Sequence, residues 1–134
     1  MQIQHVPLEW VPRTWPLVAD HIAAAVEHAK GDYDVSHLQA MVASGQAVLV
    51  VAVEEGSIVG AGIIEIFNRP TARVAFIMAM GGKFIVTEDS LTQLKALLAA
   101  MGVTTVEGAA RESVFRLLTR LGFTEKYRIF EVKL

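Results

Sequence analysis

Three apolar segments joined by short turns, between residues 48 and 80, constrain the fold of this sequence more than any other feature. Residues 48–53 are apolar on both alternating faces, so this strand must be covered on both sides. A turn at residues 54–57 leads to a second strand, and "NRPT" joins that strand to a third over residues 72–80. Because only antiparallel strands can be joined by turns this short, the sequence predicts an antiparallel meander.

The second strand of the meander contains two glycines, Gly60 and Gly62. A glycine inside a strand has no side chain to pack and often marks a bulge or a close approach of another segment. We expect one of these two features at this point of the sheet.

Helical periodicity precedes the meander. A short strand over residues 2–9 is followed by apolar positions that recur at helical spacing from Pro16 to Ala29. A second helix can be capped by Asp34 or Ser36. The sequence therefore predicts one strand and two helices before the meander.

A second mixed region follows the meander. Ser90 with Gln93 resembles a capping box at the start of a helix that ends at Gly102, and the β-branched residues after it predict a strand. A further helix has Val114, Phe115, Leu118 and Leu121 as its predicted core face, and "EKYRIFEVKL" alternates as a final strand would. The predicted order is β-α-α-β-β-β-α-β-α-β, an α/β fold with a mixed sheet in a single domain over residues 1–134.

Composition excludes several classes of protein. Hydrophobic residues make up 53% of the 134 residues, which is enough for a core, and the formal net charge of −2 predicts no broad nucleic-acid surface. No apolar run approaches the roughly 20 residues of a membrane helix, and the N-terminus does not read as a signal peptide. We expect a cytoplasmic protein, and the apolar excess leaves room for a homodimer interface.

Metal chemistry is not expected. The sequence has no cysteine, which excludes disulfides and thiolate metal sites. His21 and His28 lie seven residues apart, too far for the usual i, i+4 metal pair, and no matching acidic pair is evident.

The predicted order, together with "AFIMAMGG" and "RLLTRLGFTEKYRIFEV", resembles the GCN5-related N-acetyltransferase (GNAT) superfamily. The resemblance implies acetyl-CoA as the co-substrate and transfer of its acetyl group to a primary amine by direct attack. The acceptor would be a small molecule or a protein amine. In this family the fourth strand splays from the fifth, and the pantetheine arm enters the gap.

Carried onto this sequence, the resemblance predicts two groups of cofactor contacts. The backbone of the fourth strand would face pantetheine at Ile77, Met78 and Ala79, and phosphates would be contacted by Gly81, Gly82, Lys83 and Arg111. Free N–H groups at a helix start favour phosphate, and glycine lets a backbone approach closely. A turn with a solvated lysine is the other interpretation of "GGK".

Some residues depart from the family pattern. Its diphosphate loop runs directly into the helix, whereas "KFIVTEDS" intervenes here, and Glu88 and Asp89 place two negative charges where the ligand's own charge would lie. The family's frequent tyrosine in the last helix falls at Leu118, which cannot transfer a proton. A GNAT-like binding or structural protein without activity is therefore the alternative function.

Two carboxylates are candidate general bases. Glu107 is near the end of a strand beside the expected gap, and Glu65 lies in the strand that contains Gly60 and Gly62. Either could hold a water against the acceptor amine, a role that works best with a raised pKa. The alternative for both is an ordinary solvent-facing position.

Overall fold

A five-stranded sheet with helices on both faces organises the computed structural model, which describes residues 1–28, 31–85 and 87–134. The helices are α1 (Val11–Val26), α2 (Val35–Ser44), α3 (Glu88–Ala99) and α4 (Glu112–Arg120), and a 3-10 turn spans Leu8–Trp10. The strands are β1 (Gln2–Val6), β2 (Val48–Glu54), β3 (Ser57–Arg69), β4 (Ala72–Gly82) and β5 (Thr105–Gly108).

The strands lie in the order β1-β2-β3-β4-β5 across the sheet. The pairs β1–β2, β2–β3 and β3–β4 are antiparallel, and β4–β5 is parallel. The predicted antiparallel meander is confirmed, as is the mixed α/β fold. The parallel pair at one edge follows from the helix that connects β4 to β5.

Each face of the sheet carries its own apolar cluster. On one face, α1 and α2 bury Val18, Ile22 and Leu38 against the sheet, together with Leu49 and Val51 of β2. The opposite face carries α3, and its cluster is made by Val50, Ala52, Ile64, Leu94 and Leu98. Successive residues of β2 therefore enter different clusters, which is why this strand is apolar at every position.

The first helix begins earlier than predicted. It starts at Val11, and Pro12 lies in the first turn, where a missing N–H costs nothing. Val11 and Trp15 are buried, so the apolar stripe already exists before Pro16, which lies inside the helix. The prediction that the helix starts near Pro16 was wrong; Ala29, expected on the same helix, lies outside the described residues.

The start of α3 is capped differently from the prediction. Thr87 is the N-cap: its Oγ accepts from the Ser90 backbone N–H, and the Ser90 Oγ accepts from the Thr87 N–H. Gln93 instead joins α3 to β1, since its Oε1 accepts from the Ile3 N–H at 2.9 Å. The capping box is real, but it is made by Thr87 with Ser90 and not by Ser90 with Gln93.

The predicted final strand does not form. Residues 123–134 are in neither helix nor strand, and within the described ranges no strand pairs with the outer edge of β5. A strand needs a partner for its N–H and C=O groups, and β5 extends over only four residues. The apolar face of α4 is likewise only half-buried. None of the helices in the described ranges is long and apolar enough to cross a membrane.

Candidate functional site

The sheet opens between β4 and β5. Their ladder has four pairs, from Val74 with Thr105 to Ile77 with Gly108. Beyond Ile77, β4 continues to Gly82, whereas β5 ends at Gly108 and the chain turns toward α4. Among the described residues, no strand therefore pairs with the backbone of β4 after Ile77 on its β5 side.

A bulge in β4 lies at this opening. In the β3–β4 ladder, Ile63 is opposite Ala79 and Ile64 is opposite Ile77, so Met78 is left without a partner. A bulged residue falls outside the regular ladder and turns the local peptide groups. The peptide groups around Met78 are consequently the ones that this fold can offer to a ligand in the opening.

A large cleft occupies the opening, with a volume of about 1450 Å³. Typical small-molecule pockets measure roughly 300–1,000 Å³. Its walls come from α1, β4, β5, α3, α4 and residues 121–129. Val114, Phe115 and Leu118 of α4 line it. Lys95, Arg111 and Arg128 also line the cleft, and Arg128 is only loosely paired with Glu125, at 3.7 Å.

Gly81 and Gly82 line the cleft, but their packing against α1 and β3 explains their identity. A Cβ at Gly81 would lie 2.0 Å from the His21 carbonyl oxygen. One at Gly82, whose φ is +67°, would lie 2.4 Å from the Val59 carbonyl oxygen. Only glycine can occupy these positions, whether or not a ligand approaches them.

The segment after this glycine pair packs into the core. Phe84 and Ile85 are buried, and Phe84 lies over Gly62, where a Cβ would come within 2.6 Å of its ring. A Cβ at Gly60 would lie 2.1 Å from the Lys83 carbonyl oxygen. The expected close approach at the glycines of β3 is therefore present, and a bulge accompanies it where the β2–β3 register shifts.

Lys83 lies outside the cleft. It lines a separate, smaller depression with Met1, Glu54, Thr87 and Asp89. The start of α3 faces the same depression and is closed by its own cap, with Glu88 and Asp89 in the first turn. The structure thus does not bring Lys83 or the N-terminus of α3 together with the opening at Met78.

Glu107 is held by two cations. The Arg69 guanidinium and the Lys126 ammonium both donate to its Oε2, the latter at 2.8 Å, and its side chain is only 13% exposed. The hydrogen bonds from Arg69 and Lys126 lower the pKa of Glu107 from 4.5 to about 2. A general base needs a raised pKa, so this environment disfavours the base role expected for Glu107.

Glu65 lies in the same row of the sheet as Glu107. Phe76 of β4 pairs with Glu65 on one side and with Glu107 on the other, so all three side chains are on one face. It is the face of α1 and α2, because Ile63, two residues earlier, packs there. Burial, Asp32 and Glu65 together raise the pKa of Tyr33, which places this carboxylate near the loop before α2.

Among the described residues, Glu65 makes no ion pair and is half-buried, and it does not line the cleft. Phe76 separates it from Glu107 by two strand spacings, roughly 10 Å. Of the nine predicted site residues, those that line the cleft are Ile77, Met78, Ala79, Gly81, Gly82, Glu107 and Arg111.

Several features of the site were not predicted from the sequence. The partners of Glu107, Arg69 and Lys126, are 38 and 19 residues away from it along the chain. The bulge at Met78 has no local signal. The burial of Phe84 and Ile85 did have a local sequence signal, because two adjacent large apolar residues in a turn are unusual for a solvated phosphate loop.

No group of three or more His, Asp or Glu side chains in the described part of the chain could hold a metal ion.

The sequence matches no protein-family model, and no curated protein matches it. Solved structures do match the fold. An aminoglycoside acetyltransferase from an uncultured soil metagenomic sample, in complex with sisomicin, superposes with a TM-score of 0.71 at 16% identity, covering 99% of this chain and 95% of that one.

Two further acetyltransferase structures cover this chain completely. A ribosomal-protein-alanine N-acetyltransferase from Brucella melitensis biovar Abortus 2308 has a TM-score of 0.69 at 13% identity, with all of that chain covered. A probable acetyltransferase has a TM-score of 0.68 at 13% identity, with 97% of that chain covered. Together with the opening of the sheet after Ile77, these matches show that the chain has the fold of the GCN5-related N-acetyltransferases.

Proposed function

We propose that this protein transfers an acetyl group from acetyl-CoA to a primary amine of a small molecule. The opening of β4 from β5 beyond the Ile77–Gly108 pair, with a bulge at Met78, is the observation that carries the proposal. A pantetheine arm is thin and contains amide groups. A gap between two strands with unladdered peptide groups on one wall suits such a chain.

The predicted contacts to the pantetheine arm of acetyl-CoA fit the structure better than the predicted contacts to its phosphates. The backbone of Ile77, Met78 and Ala79 would hold the pantetheine arm along β4. The predicted phosphate contacts at Lys83 and at the start of α3 do not fit, because both face a different depression. Arg111, Lys95 and Arg128 line the cleft and are the cations that would hold the phosphates.

Bound acetyl-CoA would supply a thioester whose carbonyl carbon would accept the amine nitrogen directly. The C–N bond would form as the C–S bond breaks, and CoA would leave as a thiolate that takes its proton from solvent, because Leu118 cannot donate one. A backbone N–H near Met78 would donate to the thioester oxygen and stabilise the negative charge that develops there. Glu65 does not line the cleft, so it would take up the amine proton through a water, from the α1–α2 face of the sheet. Its carboxylate has no cation paired to it among the described residues. Glu107, with a pKa of about 2, would instead hold Arg69 and Lys126 in place at the edge of the cleft.

The acceptor in this proposal is a cationic small molecule. Aminoglycoside acetyltransferases are among the matching structures. On the α1–α2 face of this chain, burial raises the pKa of Tyr33, and the carboxylates of Asp32 and Glu65 raise it further, so two negative charges lie near this aromatic ring. Such a surface favours a polyamine or aminosugar over an anionic acceptor.

Binding of CoA can be tested by calorimetry and thermal shift with two variants of one glycine. A Cβ at Gly108 would meet the Ile77 carbonyl oxygen at 3.6 Å, an ordinary contact, so Gly108→Ala should fold and bind normally. Gly108→Leu would place a larger side chain where the strands diverge and should abolish CoA binding. Ligand at about 100 times its Kd should add about 2.7 kcal/mol to the stability of the wild type. Equal binding by both variants would contradict the placement of the arm.

Turnover can be followed by measuring the free thiol of CoA that forms when acetyl-CoA gives up its acetyl group. The chain has no cysteine, so a thiol reagent reports CoA alone. We expect release with acetyl-CoA and a panel of aminoglycosides and polyamines, and a loss of at least about tenfold in kcat for Glu65→Gln, the order expected for a general base.

The capped start of α3 favours the alternative function, a protein of this fold that binds without transfer. Thr87 and Ser90 satisfy N–H groups of the helix end that the family's diphosphate loop would present to its ligand. Saturable CoA binding with no thiol release on any amine would support this alternative. An absence of CoA binding by the wild type would contradict the proposed acetyltransferase.

A further inference from the structure

One wall of the cleft comes from the end of α1, and it contains a histidine to which the proposed function gives no role. Ala24, Ala25 and His28 line the cleft from this side. The backbone N–H of His28 donates to the Ala25 carbonyl oxygen at 3.2 Å, so His28 continues the last turn of the helix. Its imidazole is exposed and is therefore accessible to a ligand in the cleft.

The end of α1 lies beside the bulge of β4. The two elements meet at Gly81, where a Cβ would lie 2.0 Å from the His21 carbonyl oxygen. His28 is seven residues further along α1, roughly 10 Å, and Met78 is three residues back along β4, also roughly 10 Å. Ala25 and Met78 pack against the same apolar cluster. The two elements therefore run side by side from Gly81 to the bulge, and His28 reaches the opening there.

Acetylation removes two protons from an acceptor ammonium, and the proposed function gives a destination to only one of them. An aliphatic amine with a pKa of about 10 is uncharged in only about one molecule in 1,000 at pH 7. The ammonium has no lone pair, so it must lose a first proton before it can attack. A second proton leaves once the C–N bond forms, and this is the proton assigned to Glu65. The first proton requires a base that touches the amine.

The carboxylates that line the cleft are poorly suited to remove the first proton. Glu107 accepts from two cations, and its pKa of about 2 makes it a very weak base. Glu125 lies 3.7 Å from the Arg128 guanidinium. Glu112 is in the first turn of α4, next to Arg111, which the proposed function assigns to the phosphates.

The other titratable side chains lining the cleft already carry a proton at neutral pH: Lys95, Arg111, Lys126, Arg128 and Tyr127. Histidine is the residue type that takes up and releases protons in the neutral range. Glu27 precedes His28 at the carbonyl end of α1, and such an end favours a nearby positive charge. Asp32 and Glu65, near Tyr33, add negative charge on the same face. Of the described residues that line the cleft, His28 is therefore the best placed base.

We propose that His28 is a catalytic residue that removes the first proton from the acceptor ammonium. This inference rests on the acetyl transfer proposed above. An imidazole nitrogen takes the proton, and the amine nitrogen keeps the electron pair of the broken N–H bond and attacks the thioester carbon with it. The second proton then passes through a water to Glu65, and the imidazolium returns its proton to solvent. Protons and charges balance without a further reactant.

The pH dependence of turnover tests this role. His28→Gln keeps a polar side chain that cannot take up a proton. With the acceptor that gives thiol release, its kcat/KM should be at least about tenfold below the wild-type value at about pH 7. The two values should converge at about pH 10, where much of the acceptor is already uncharged. Glu65→Gln should keep its defect at both pH values, because the second proton must still leave.

The matched control is His5→Gln, because His5 is exposed on β1, at the opposite edge of the sheet from β5. It should match the wild type at both pH values. A second check uses methoxyamine, which is uncharged at neutral pH and needs no first deprotonation. His28→Gln and the wild type should acetylate it at equal rates, and calorimetry should give both the same affinity for CoA.

The possible failures are distinguishable. If His28→Gln shows no defect, or the same defect at both pH values and with methoxyamine, the role of His28 is overturned and the acetyltransferase proposal stands. A wild type that releases no thiol with any amine would instead contradict the proposed acetyltransferase, and the role of His28 with it.

Discussion

The two ends of the sheet differ in how completely a single chain packs them. Around β2, β3 and the adjoining helices, Val18, Ile22, Leu49 and Leu94 are fully buried. Around β5, the strand has only four residues, and α4 buries none of its nine. We call these the closed end and the open end of the sheet.

Two helix starts at the closed end are capped by side chains, although α1 is not. At the closed end, Asp34 caps α2 and Thr87 caps α3, each through a side-chain oxygen that accepts a backbone N–H. At the open end, the N-cap residue of α4 is Arg111, whose side chain makes no capping hydrogen bond. A nine-residue helix is marginal in water by itself. The comparison shows that the closed end contains the fully buried core, whereas the open end holds the cleft and buries few side chains.

Truncation of one leucine at each end should show the largest difference in stability between the two ends. Leu94→Ala should cost about 2–5 kcal/mol of unfolding free energy, because Leu94 is fully buried between α3 and the sheet. Leu118→Ala in α4, which is half-buried along the cleft, should cost less than about 1.5 kcal/mol. Urea unfolding of both variants measures the difference. Equal losses would show that α4 is packed as tightly as α3.

Two glycines that line the cleft provide a second contrast. Gly81→Ala should destabilise by about 1–3 kcal/mol, since its Cβ would lie 2.0 Å from the His21 carbonyl oxygen and the backbone must shift. Gly108→Ala should change stability by less than about 0.5 kcal/mol, because its Cβ meets only ordinary contacts. Thermal unfolding compares them directly. If Gly81→Ala is neutral, the close packing of α1 on β4 is contradicted.

The helix caps give a smaller effect. Thr87→Ala should cost about 1 kcal/mol, since it leaves the Ser90 N–H without its cap. Arg111→Ala should have almost no effect on stability, because Arg111 makes no capping hydrogen bond. Denaturant midpoints of the two variants measure this difference. A larger loss of unfolding free energy for Arg111→Ala than for Thr87→Ala would contradict it.

The sequence predicted the closed end well because its determinants are local. Alternation in β2, short turns between strands and the cap at Asp34 each lie within a few residues of one another. Antiparallel pairing follows from the turn lengths alone. The two glycines of β3 correctly predicted that another segment approaches the strand closely. The sequence did not show that this segment is the one around Lys83 and Phe84.

The open end was predicted less well because its determinants are distant in sequence. The bulge at Met78 depends on how β3 and β4 align, and the environment of Glu107 depends on Arg69 and Lys126. The alternation in the C-terminal tail, residues 124–134, predicted a final strand that does not form, because alternation does not say whether a partner strand is available. Contacts between distant segments cannot be read from local periodicity.

Glu107 offers the last and smallest contrast, because it joins the tail to the closed end through its two cations. Its folded pKa of about 2 lies below the ordinary 4.5, so the folded protein loses this stabilisation as pH falls from about 5 toward 2. Above that window the contribution is fully present. Stability of Glu107→Gln should therefore fall less steeply than that of the wild type over the same range.

Lys126→Met should raise the pKa of Glu107 and leave Arg69 as its partner, whereas Lys133→Met, which changes a distal tail lysine, should not raise it. An NMR titration of the Glu107 carboxyl measures both variants, and a wild-type pKa near 4.5 would mean that the tail is not anchored at β5.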